Sequence, residues 1–202
     1  MKIKIIVEGK TELVLIRAIR IFLSTRLSKD QMPSVTSFRY NGRIPKGEDL
    51  KKKVEELCNN HDAVIALTDV YTGTNDFTDA SDAKNKMSAW VGENPKFFPH
   101  AAQHDFEAWL LPFWDTIKQM AKTKRNAPGH HPESVNHGNP PAHRLVELFE
   151  TPNAPRSYDK PRDAEAILRK NSYDLAKSAN ACPELKSLLN TILTLSGGTV
   201  LP

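Results

Sequence analysis

The run Lys2-Ile3-Lys4-Ile5-Ile6-Val7-Glu8-Gly9-Lys10-Thr11-Glu12 decides the fold, because a short β-branched segment ends abruptly at an acid and a glycine. Apolar residues at helical spacing follow over 11–27, so the run predicts a strand followed directly by a helix. A second buried run, 63–67, ends in Thr68-Asp69. In an open parallel sheet ligands bind at the carboxyl ends of the strands, where we expect Glu8 and Asp69 to meet. Two carboxylates at that edge suit a hard divalent cation and phosphate chemistry.

The composition is that of an ordinary folded protein. The 202 residues are 39% hydrophobic and 26% charged, which excludes a disordered chain and allows one sizeable domain. No apolar run reaches the length of a membrane span, and the first residues lack the pattern of a signal peptide. Two cysteines make no disulfide framework, so we expect a cytoplasmic protein with reduced thiols and no membrane partner.

The net charge of +4 permits binding to nucleic acid without requiring it. The basic residues form two local clusters, one at 51–53 and one comprising Lys122, Lys124 and Arg125. We interpret each cluster as a solvated helix face or helix end.

Strands and helices alternate along the first half of the sequence. The periodicity predicts strands over 2–8, 35–40, 63–69 and 97–103, and helices over 11–27, 48–60 and 79–91. This order predicts an α/β fold with right-handed crossovers and a mainly parallel four-stranded sheet flanked by helices. Further helices are predicted over 105–121, 141–150, 163–179 and 184–195, and a loose tail from residue 196. We therefore expect an α/β core at 1–104 and a C-terminal helical extension at 105–202, packed together as one compact unit.

The acids at the ends of the first and third strands resemble the metal site of the Toprim domain. This domain occurs in topoisomerases, DnaG-type primases, the overcoming-lysogenisation-defect nucleases and a ribonuclease that matures ribosomal RNA. In that family the first glutamate and an Asp-x-Asp pair after the third strand assemble a magnesium site that helps to break or make phosphodiester bonds. Glu8 and Asp69 match this pattern, whereas Tyr71 stands at the position of the second aspartate. The acids that can stand in for it on the adjoining loop and helix are Asp76, Asp79 and Asp82.

The sequence is also similar to a Toprim-like bacterial family, the domain-of-unknown-function family 4276. Gln103-His104-Asp105-Phe106-Glu107-Ala108-Trp109-Leu110-Leu111 resembles its HEFEALLF signature, and the stretch 132–145 resembles its PE-x-IN-x-G…APSKR stretch. Tyr158-Asp159-Lys160 and Cys182-Pro183 match its later Y-x-K and CP landmarks. These landmarks follow the family's order over residues 3–193, and tyrosine at position 71 is usual there. The resemblance implies a nuclease effector that works with an ABC- or AAA-type ATPase, in gene pairs several of which are associated with defence against phage.

Glu107 has two interpretations, and the sequence leaves both open. It can supply the third carboxylate of the site, or it can pair with a lysine or arginine inside the helical extension. A rival interpretation places zinc on His100, His104 and Glu107. Pro99 and the apolar residues around it favour a strand at His100, which breaks the helical spacing that such a zinc site needs.

The sequence as a whole predicts a Toprim-like nuclease that depends on Mg²⁺ or Mn²⁺ and cleaves phosphodiester bonds in DNA or RNA. Glu8, Asp69 and Glu107 are the candidate catalytic residues, and Glu8, Asp69 and Asp76 are the candidate metal ligands. The candidate phosphate contacts are Lys10, Arg144 and Lys160.

Two alternatives accompany this prediction. Glu8 and Asp69 can serve as helix caps or as salt-bridge partners of Lys10 or Arg43. The protein can also be a non-catalytic Toprim-derived module that binds an ATPase partner or nucleic acid, which Tyr71 favours. The sequence leaves both a monomer and an oligomer open.

Overall fold

Four strands form one parallel sheet in the computed structural model, which describes residues 1–70, 75–128, 131–134, 140–152 and 154–202. The strands are β1 (Lys2–Val7), β2 (Ser34–Arg39), β3 (Ala63–Asp69) and β4 (Phe97–Ala102), and they lie in the order β2-β1-β3-β4. All three strand pairs are parallel. The predicted α/β fold with a mainly parallel four-stranded sheet is confirmed.

Helices cover both faces of the sheet because the side chains of each strand alternate between the faces. The crossover helices are α1 (Thr11–Ser24), α2 (Gly47–Cys58) and α3 (Ala80–Val91). Ile3, Ile5 and Val7 enter the core that contains α1. Ile6, between them in β1, enters a second core with residues of α2 and α3.

The chain beyond β4 is helical and shares the core of α1. It forms a 3₁₀ helix (Phe106–Phe113), then α4 (Trp114–Ala121), α5 (Pro141–Phe149), α6 (Lys160–Lys170), α7 (Leu175–Ala181) and α8 (Pro183–Leu195), with a short 3₁₀ turn at Pro132–Ser134. Trp109, Leu145 and Leu188 lie in the same buried cluster as Ile5. The division at residue 104 stays a prediction. No helix within the described ranges combines the length and apolar content of a membrane span.

Two predicted helices are wrong in their extent. The segment 105–121 is a 3₁₀ helix followed by α4, because Pro112 has no backbone N–H to donate within a continuous α-helix. The segment 163–179 contains the end of α6 and the start of α7. Ser172 and Tyr173, with φ of 55° and 54°, turn the chain between these two helices.

The residues after α8 are packed, so the prediction of a loose tail is also wrong. Leu201 is buried, and its amide donates a hydrogen bond to Asn190 Oδ1 at 2.7 Å. The Gly198 amide donates one to the Leu193 carbonyl at 2.8 Å. A Cβ at position 198 would lie only 2.4 Å from Leu27 Cδ2, so glycine permits this close approach.

Gly198→Ala is expected to destabilise the protein by about 1–3 kcal/mol, because the added methyl group overpacks the contact with Leu27. Urea unfolding measures the change. Val200→Ala, at a half-exposed side chain two residues on, is the control and is expected to change stability by less than about 0.5 kcal/mol. Equal stabilities for Gly198→Ala and the wild type would contradict the packed tail.

The sheet order creates a topological switch point between β1 and β3. The chain leaves β1 through α1 to β2 on one side, then returns through α2 to β3 on the other side of β1. Crossovers that diverge in this way leave a crevice at the carboxyl ends of the two central strands, where ligands of open α/β sheets bind. Glu8 follows β1 directly and Asp69 ends β3, so both predicted acids lie at this crevice.

Candidate functional site

The turn after β1 fixes the position of Glu8. The Gly9 amide donates a hydrogen bond to Glu12 Oε2 at 2.9 Å, and the Gly42 amide donates one to the Glu8 carbonyl oxygen at 3.0 Å. Glu8 Oε1 accepts a hydrogen bond from Thr68 Oγ1 in β3. A Cβ at position 9 would lie 3.3 Å from Glu12 Oε2, so the glycine lets the turn lie close to this carboxylate. The turn therefore holds Glu8 and Glu12 together at the start of α1.

Asp69 is placed by the alternation of β3. It shares a face of the sheet with Ile65 and Leu67, whose side chains pack against α1 and the helical extension. The backbone is fixed at this point, since the Val70 amide donates a hydrogen bond to the Ala102 carbonyl at 3.0 Å. The half-buried Asp69 carboxyl is thus directed towards the segment that follows β4.

That segment brings two further acids to the crevice. Asp105 and Glu107 are 3% and 1% exposed. Asp105 Oδ2 accepts a hydrogen bond of 3.0 Å from the Ala142 amide and so caps the start of α5, as a side-chain oxygen at a helix N-terminus does. Asp105 Oδ1 and Glu107 Oε1 are buried without a hydrogen-bond partner among the described residues. Lys160 Nζ lies 3.6 Å from Glu107 Oε1, close enough for an ion pair and too far for a hydrogen bond.

These carboxyl groups interact strongly with one another. We call Glu8, Glu12, Asp69, Asp105 and Glu107 the acidic cluster. Burial raises the pKa of Glu8 to about 7, and the charge of Glu12 adds to that increase. Burial and the charges of Glu8, Asp105, Glu12 and Glu107 raise the pKa of Asp69 well above its usual range. Burial raises the pKa of Asp105 to about 6, and burial together with the charge of Asp105 raises the pKa of Glu107 to about 7.

Lys160 supplies positive charge to the acidic cluster. Burial acts to lower the pKa of its ammonium, but the charges of Glu107, Asp105 and Asp69 outweigh that effect, so the pKa is raised. Its position is fixed at the start of α6, where Asp163 Oδ2 accepts a hydrogen bond of 2.7 Å from the Asp159 amide. The Y-x-K landmark therefore places its lysine at the crevice.

The structure brings together only some of the residues predicted from sequence. Glu8 follows β1 and Asp69 ends β3 at the crevice, and Glu107, in the segment after β4, pairs with Lys160. Glu107 pairs with a lysine, as one of its two interpretations suggested, and its role as the third carboxylate of a metal site stays a prediction. Lys10 is exposed at the N-cap position of α1.

The other predicted residues lie elsewhere. Asp76 Oδ2 is 2.6 Å from Lys46 Nζ and 3.8 Å from Arg43 Nη1, so its carboxylate takes part in ion pairs on the loop before α3. Arg144 lines a separate cavity beside α4. Tyr71 lies outside the described residues.

Glu12 and Asp105 are members of the acidic cluster that the sequence analysis did not single out. The signal for Glu12 was its position four residues after Glu8, at the first turn of a predicted helix. Asp105 lies in the stretch 103–111 that resembles the HEFEALLF signature. Its role depends on the path of the chain after β4, and residue spacing alone does not reveal that path.

The acidic cluster fits a hard divalent cation in its chemistry. Its donors are all carboxylate oxygens, which Mg²⁺ and Mn²⁺ prefer, and two of these oxygens are buried without hydrogen bonds among the described residues. A cation would also offset the burial and the repulsion that together raise the pKa values of Glu8 and Asp69. Within the described parts of the chain, no three His, Cys, Asp or Glu side chains are already arranged to hold a metal ion. Binding an ion would therefore require these side chains to move closer together.

The rival zinc site is not assembled. His100 lies on β4, and its Nε2 is 3.0 Å from Thr191 Oγ1 in α8. Burial and the charge of Lys84 lower the pKa of His100 to about 4. His100 is thus engaged with α8, away from Glu107.

The Pro132-Glu133 pair, which matches the PE of the family's PE-x-IN-x-G stretch, has a structural role. Glu133, which is buried, accepts a hydrogen bond from Trp109 Nε1 at 2.8 Å and two more from the Glu184 amide at 3.1 and 3.0 Å. These bonds cap the start of α8, next to the Cys182-Pro183 pair. The PE and CP landmarks therefore join the 3₁₀ helix to α8.

The comparisons with known proteins agree with this architecture. The family described as Domain of unknown function (DUF4276) matches residues 7–193. The C-terminal region of the Burkholderia pseudomallei OLD protein is similar in structure, with a TM-score of 0.52 at 15% identity, covering 96% of this chain and 98% of that chain. The C-terminal region of the Xanthomonas campestris pv. campestris OLD protein has a TM-score of 0.41 at 16% identity, covering 96% of this chain and 97% of that one. No curated protein matches the chain.

The parallel sheet, its flanking helices and the similarity to the OLD C-terminal region define a Toprim-like α/β fold. The match over residues 7–193 extends through the sheet and nearly all of the helical extension. The chain belongs to the DUF4276 family.

Proposed function

We propose that this protein is a nuclease of the Toprim type that uses Mg²⁺ or Mn²⁺ bound at the acidic cluster. The observation that supports the proposal is the meeting of Glu8 and Asp69 at the switch point, beside buried carboxylate oxygens of Asp105 and Glu107 that lack hydrogen bonds among the described residues. Acidic groups of like charge held close together destabilise a protein. Such destabilising clusters are found mainly where function requires them.

The residues of the acidic cluster have distinct roles in this proposal. Glu8 and Asp69 hold the metal, with Glu107 or Asp105 as a third ligand and Asp76 as the alternative from the loop before α3. When bound, the metal supplies a Lewis acid for the phosphoryl oxygen and lowers the pKa of water. Whichever of Asp105 and Glu107 does not bind the metal has a raised pKa, about 6 or about 7, and is suited to accept or return a proton near neutral pH.

Lys160 has an electrostatic role in this reaction. Its ammonium lies beside Glu107 at the edge of the acidic cluster and is half-exposed, so it can contact a phosphate from solvent. Charge that builds on the phosphate in the transition state is stabilised by such a fixed cation. Lys10, exposed at the start of α1, is a second candidate for contact with a phosphate of the bound nucleic acid.

Titration of Mn²⁺ into metal-stripped protein by calorimetry tests the metal site. The wild type is expected to show saturable binding that Asp69→Asn loses, because the variant removes a charged ligand from the centre of the acidic cluster. Asp76→Asn is the matched control and is expected to bind as the wild type does, since Asp76 is engaged with Lys46 and Arg43. Binding lost in Asp76→Asn and kept in Asp69→Asn would move the metal to the loop before α3. No binding by the wild type would exclude the metal site.

The second candidate function is a non-catalytic module that binds an ATPase partner or nucleic acid. Two observations favour it, namely tyrosine at position 71 and the absence, among the described residues, of three ligands already arranged for a metal. It predicts that purified protein cleaves neither DNA nor RNA in Mn²⁺, with or without the partner.

The biological setting is part of the proposal. The family resemblance implies an ABC- or AAA-type ATPase as the partner and defence against phage as the role. Cells that express the protein with an ATPase encoded beside it are expected to resist phage infection. Asp69→Asn is expected to remove that resistance if the nuclease is the effector, and to leave it intact if the protein acts only as a binding module.

A further inference from the structure

A small cavity between α4, the segment after it and α5 is lined by two arginines. Its volume is about 100 Å³, and its lining residues are Trp114, Arg125, Asn126, Pro128, Arg144 and Leu148. We call it the arginine cavity. A cavity of this size holds about three waters, since one water occupies about 30 Å³ in the liquid, so it has room for a single phosphate group.

The arginines of this cavity lack acidic partners among the described residues. None of the ion pairs among the described residues involves Arg125 or Arg144. Arg144 Nε is buried and has no hydrogen-bond acceptor there. A guanidinium group only donates hydrogen bonds, so these arginines need a hydrogen-bond acceptor. An anionic oxygen is the strongest acceptor for such a charged donor.

The walls of the arginine cavity are held in place by the fold. Trp114 Nε1 donates a hydrogen bond of 3.1 Å to the Arg125 carbonyl, which fixes the segment after α4. Leu148 lies one turn after Arg144 on the same face of α5. Lys122 and Lys124, which the sequence analysis interpreted as solvated, are exposed just before Arg125 and add positive charge nearby.

The arginine cavity and the acidic cluster both contact α5. Asp105 caps this helix at Ala142, and Arg144 lies two residues further along. An α-helix rises by about 1.5 Å per residue, so Arg144 lies about 3 Å further along the helix axis than the residue that Asp105 caps. Phosphates along a strand of a duplex rise by about 3.4 Å each, so a strand bound at the acidic cluster reaches the cavity within a few nucleotides.

We propose that the arginine cavity binds a phosphate group of the nucleic-acid strand that the acidic cluster engages. The inference rests on the proposed function for the identity of the strand. The guanidinium groups of Arg144 and Arg125 donate hydrogen bonds to the phosphate, and the wall of the cavity excludes bulkier groups. The phosphate is either an internal phosphodiester or the terminal monoester of the strand.

Binding in EDTA tests the proposal without cleavage or metal. Single-stranded oligonucleotides of one sequence, with a 5′-phosphate or a 5′-hydroxyl group, are titrated with the wild type, R144Q and R125Q, and anisotropy is recorded. Both variants are expected to bind about tenfold more weakly, as the loss of a charge-assisted hydrogen bond predicts. The slope of log K against log salt is expected to fall in magnitude by about 0.7 for the lost phosphate contact. R169Q, at an exposed arginine at the end of α6, removes the same charge and is expected to bind as the wild type does.

The arms of the experiment distinguish the two sources of phosphate. A preference for the 5′-phosphorylated strand that disappears in R144Q, together with competition by inorganic phosphate, identifies a terminal monoester. Equal weakening of both strands in R144Q identifies an internal phosphodiester. R125Q changes an exposed side chain and guards against an effect of misfolding in R144Q, which circular dichroism also checks.

The proposal fails if R144Q and R125Q bind both strands with the affinity and salt slope of the wild type, or if the wild type binds neither the strands nor inorganic phosphate. Its failure is separable from failure of the proposed function. If the wild type shows metal-dependent cleavage and R144Q binds the strands normally, only the proposal that the arginine cavity binds phosphate is overturned. Binding that depends on Arg144 in a protein that cleaves nothing in Mn²⁺ overturns the nuclease alone.

Discussion

Glu8→Gln is expected to lower the rate of Mn²⁺-dependent phosphodiester cleavage by at least about a hundredfold, the size of effect seen when one electrostatic contact to a transition state is removed. The substitution keeps the volume of the side chain, and the amide oxygen can still accept the hydrogen bond from Thr68 Oγ1. It removes the negative charge that a cation at the switch point would need. The expected loss is therefore chemical rather than structural.

The assay follows cleavage of labelled DNA and RNA strands over time, with the partner ATPase present and absent. Glu48→Gln is the matched control, because Glu48 is an exposed acid on α2, paired with Lys51 at 3.8 Å. It is expected to cleave at the rate of the wild type. A Glu8→Gln protein that cleaves as fast as the wild type would show that any cleavage in the preparation does not come from the acidic cluster.

The centre of the site was predictable from sequence because it depends on local signals. β-Branched runs predict buried strands, and an acid followed by glycine marks the end of the first of them. The order of strands and helices then implies a parallel sheet, whose carboxyl ends must meet at one edge. Glu8 and Asp69 follow from these steps alone.

The outer part of the site was not predictable in the same way. Asp105 joins the acidic cluster because the chain after β4 turns directly into a 3₁₀ helix, where periodicity predicted one α-helix over 105–121. Lys160 begins α6, whereas the predicted helix started at 163. Its charge reaches Glu107 through tertiary packing over more than fifty residues of sequence.

The packed end of the chain was missed for a related reason. Glycines such as Gly198 usually indicate a loop. Here the missing Cβ allows the backbone to approach Leu27, a contact between distant parts of the sequence. Residue type indicates that the backbone is unusual at such a position, but tertiary packing decides whether it is loose or tightly packed.

Glu107→Gln is expected to stabilise the metal-free protein at pH 8 and to leave its stability nearly unchanged at pH 4. The folded-state pKa of Glu107 is about 7 against an ordinary value of 4.5, because of burial and the charge of Asp105. Below pH 4.5 the carboxyl is protonated whether the chain is folded or unfolded. Stability is lost as pH rises from about 4.5 to 7, because over this window the unfolded chain releases the proton that the folded protein keeps on the buried carboxyl. The variant lacks this group, and the difference at pH 8 is expected to be of the order of 3 kcal/mol.

Urea unfolding in EDTA at the two pH values measures this difference. His100, with a pKa lowered to about 4, makes stability rise with pH between about 4 and 6.5, but it is present in both proteins and cancels in the comparison. Glu55→Gln, at an exposed acid on α2, is the control and is expected to change stability by less than about 0.5 kcal/mol at either pH. Mn²⁺ is expected to stabilise the wild type at pH 8 and to stabilise Glu107→Gln less, because the variant has one carboxylate fewer to neutralise. Equal stability of Glu107→Gln and the wild type at both pH values would mean that Glu107 is not under repulsion in the folded protein, and the case for a metal at the acidic cluster would lose its electrostatic basis.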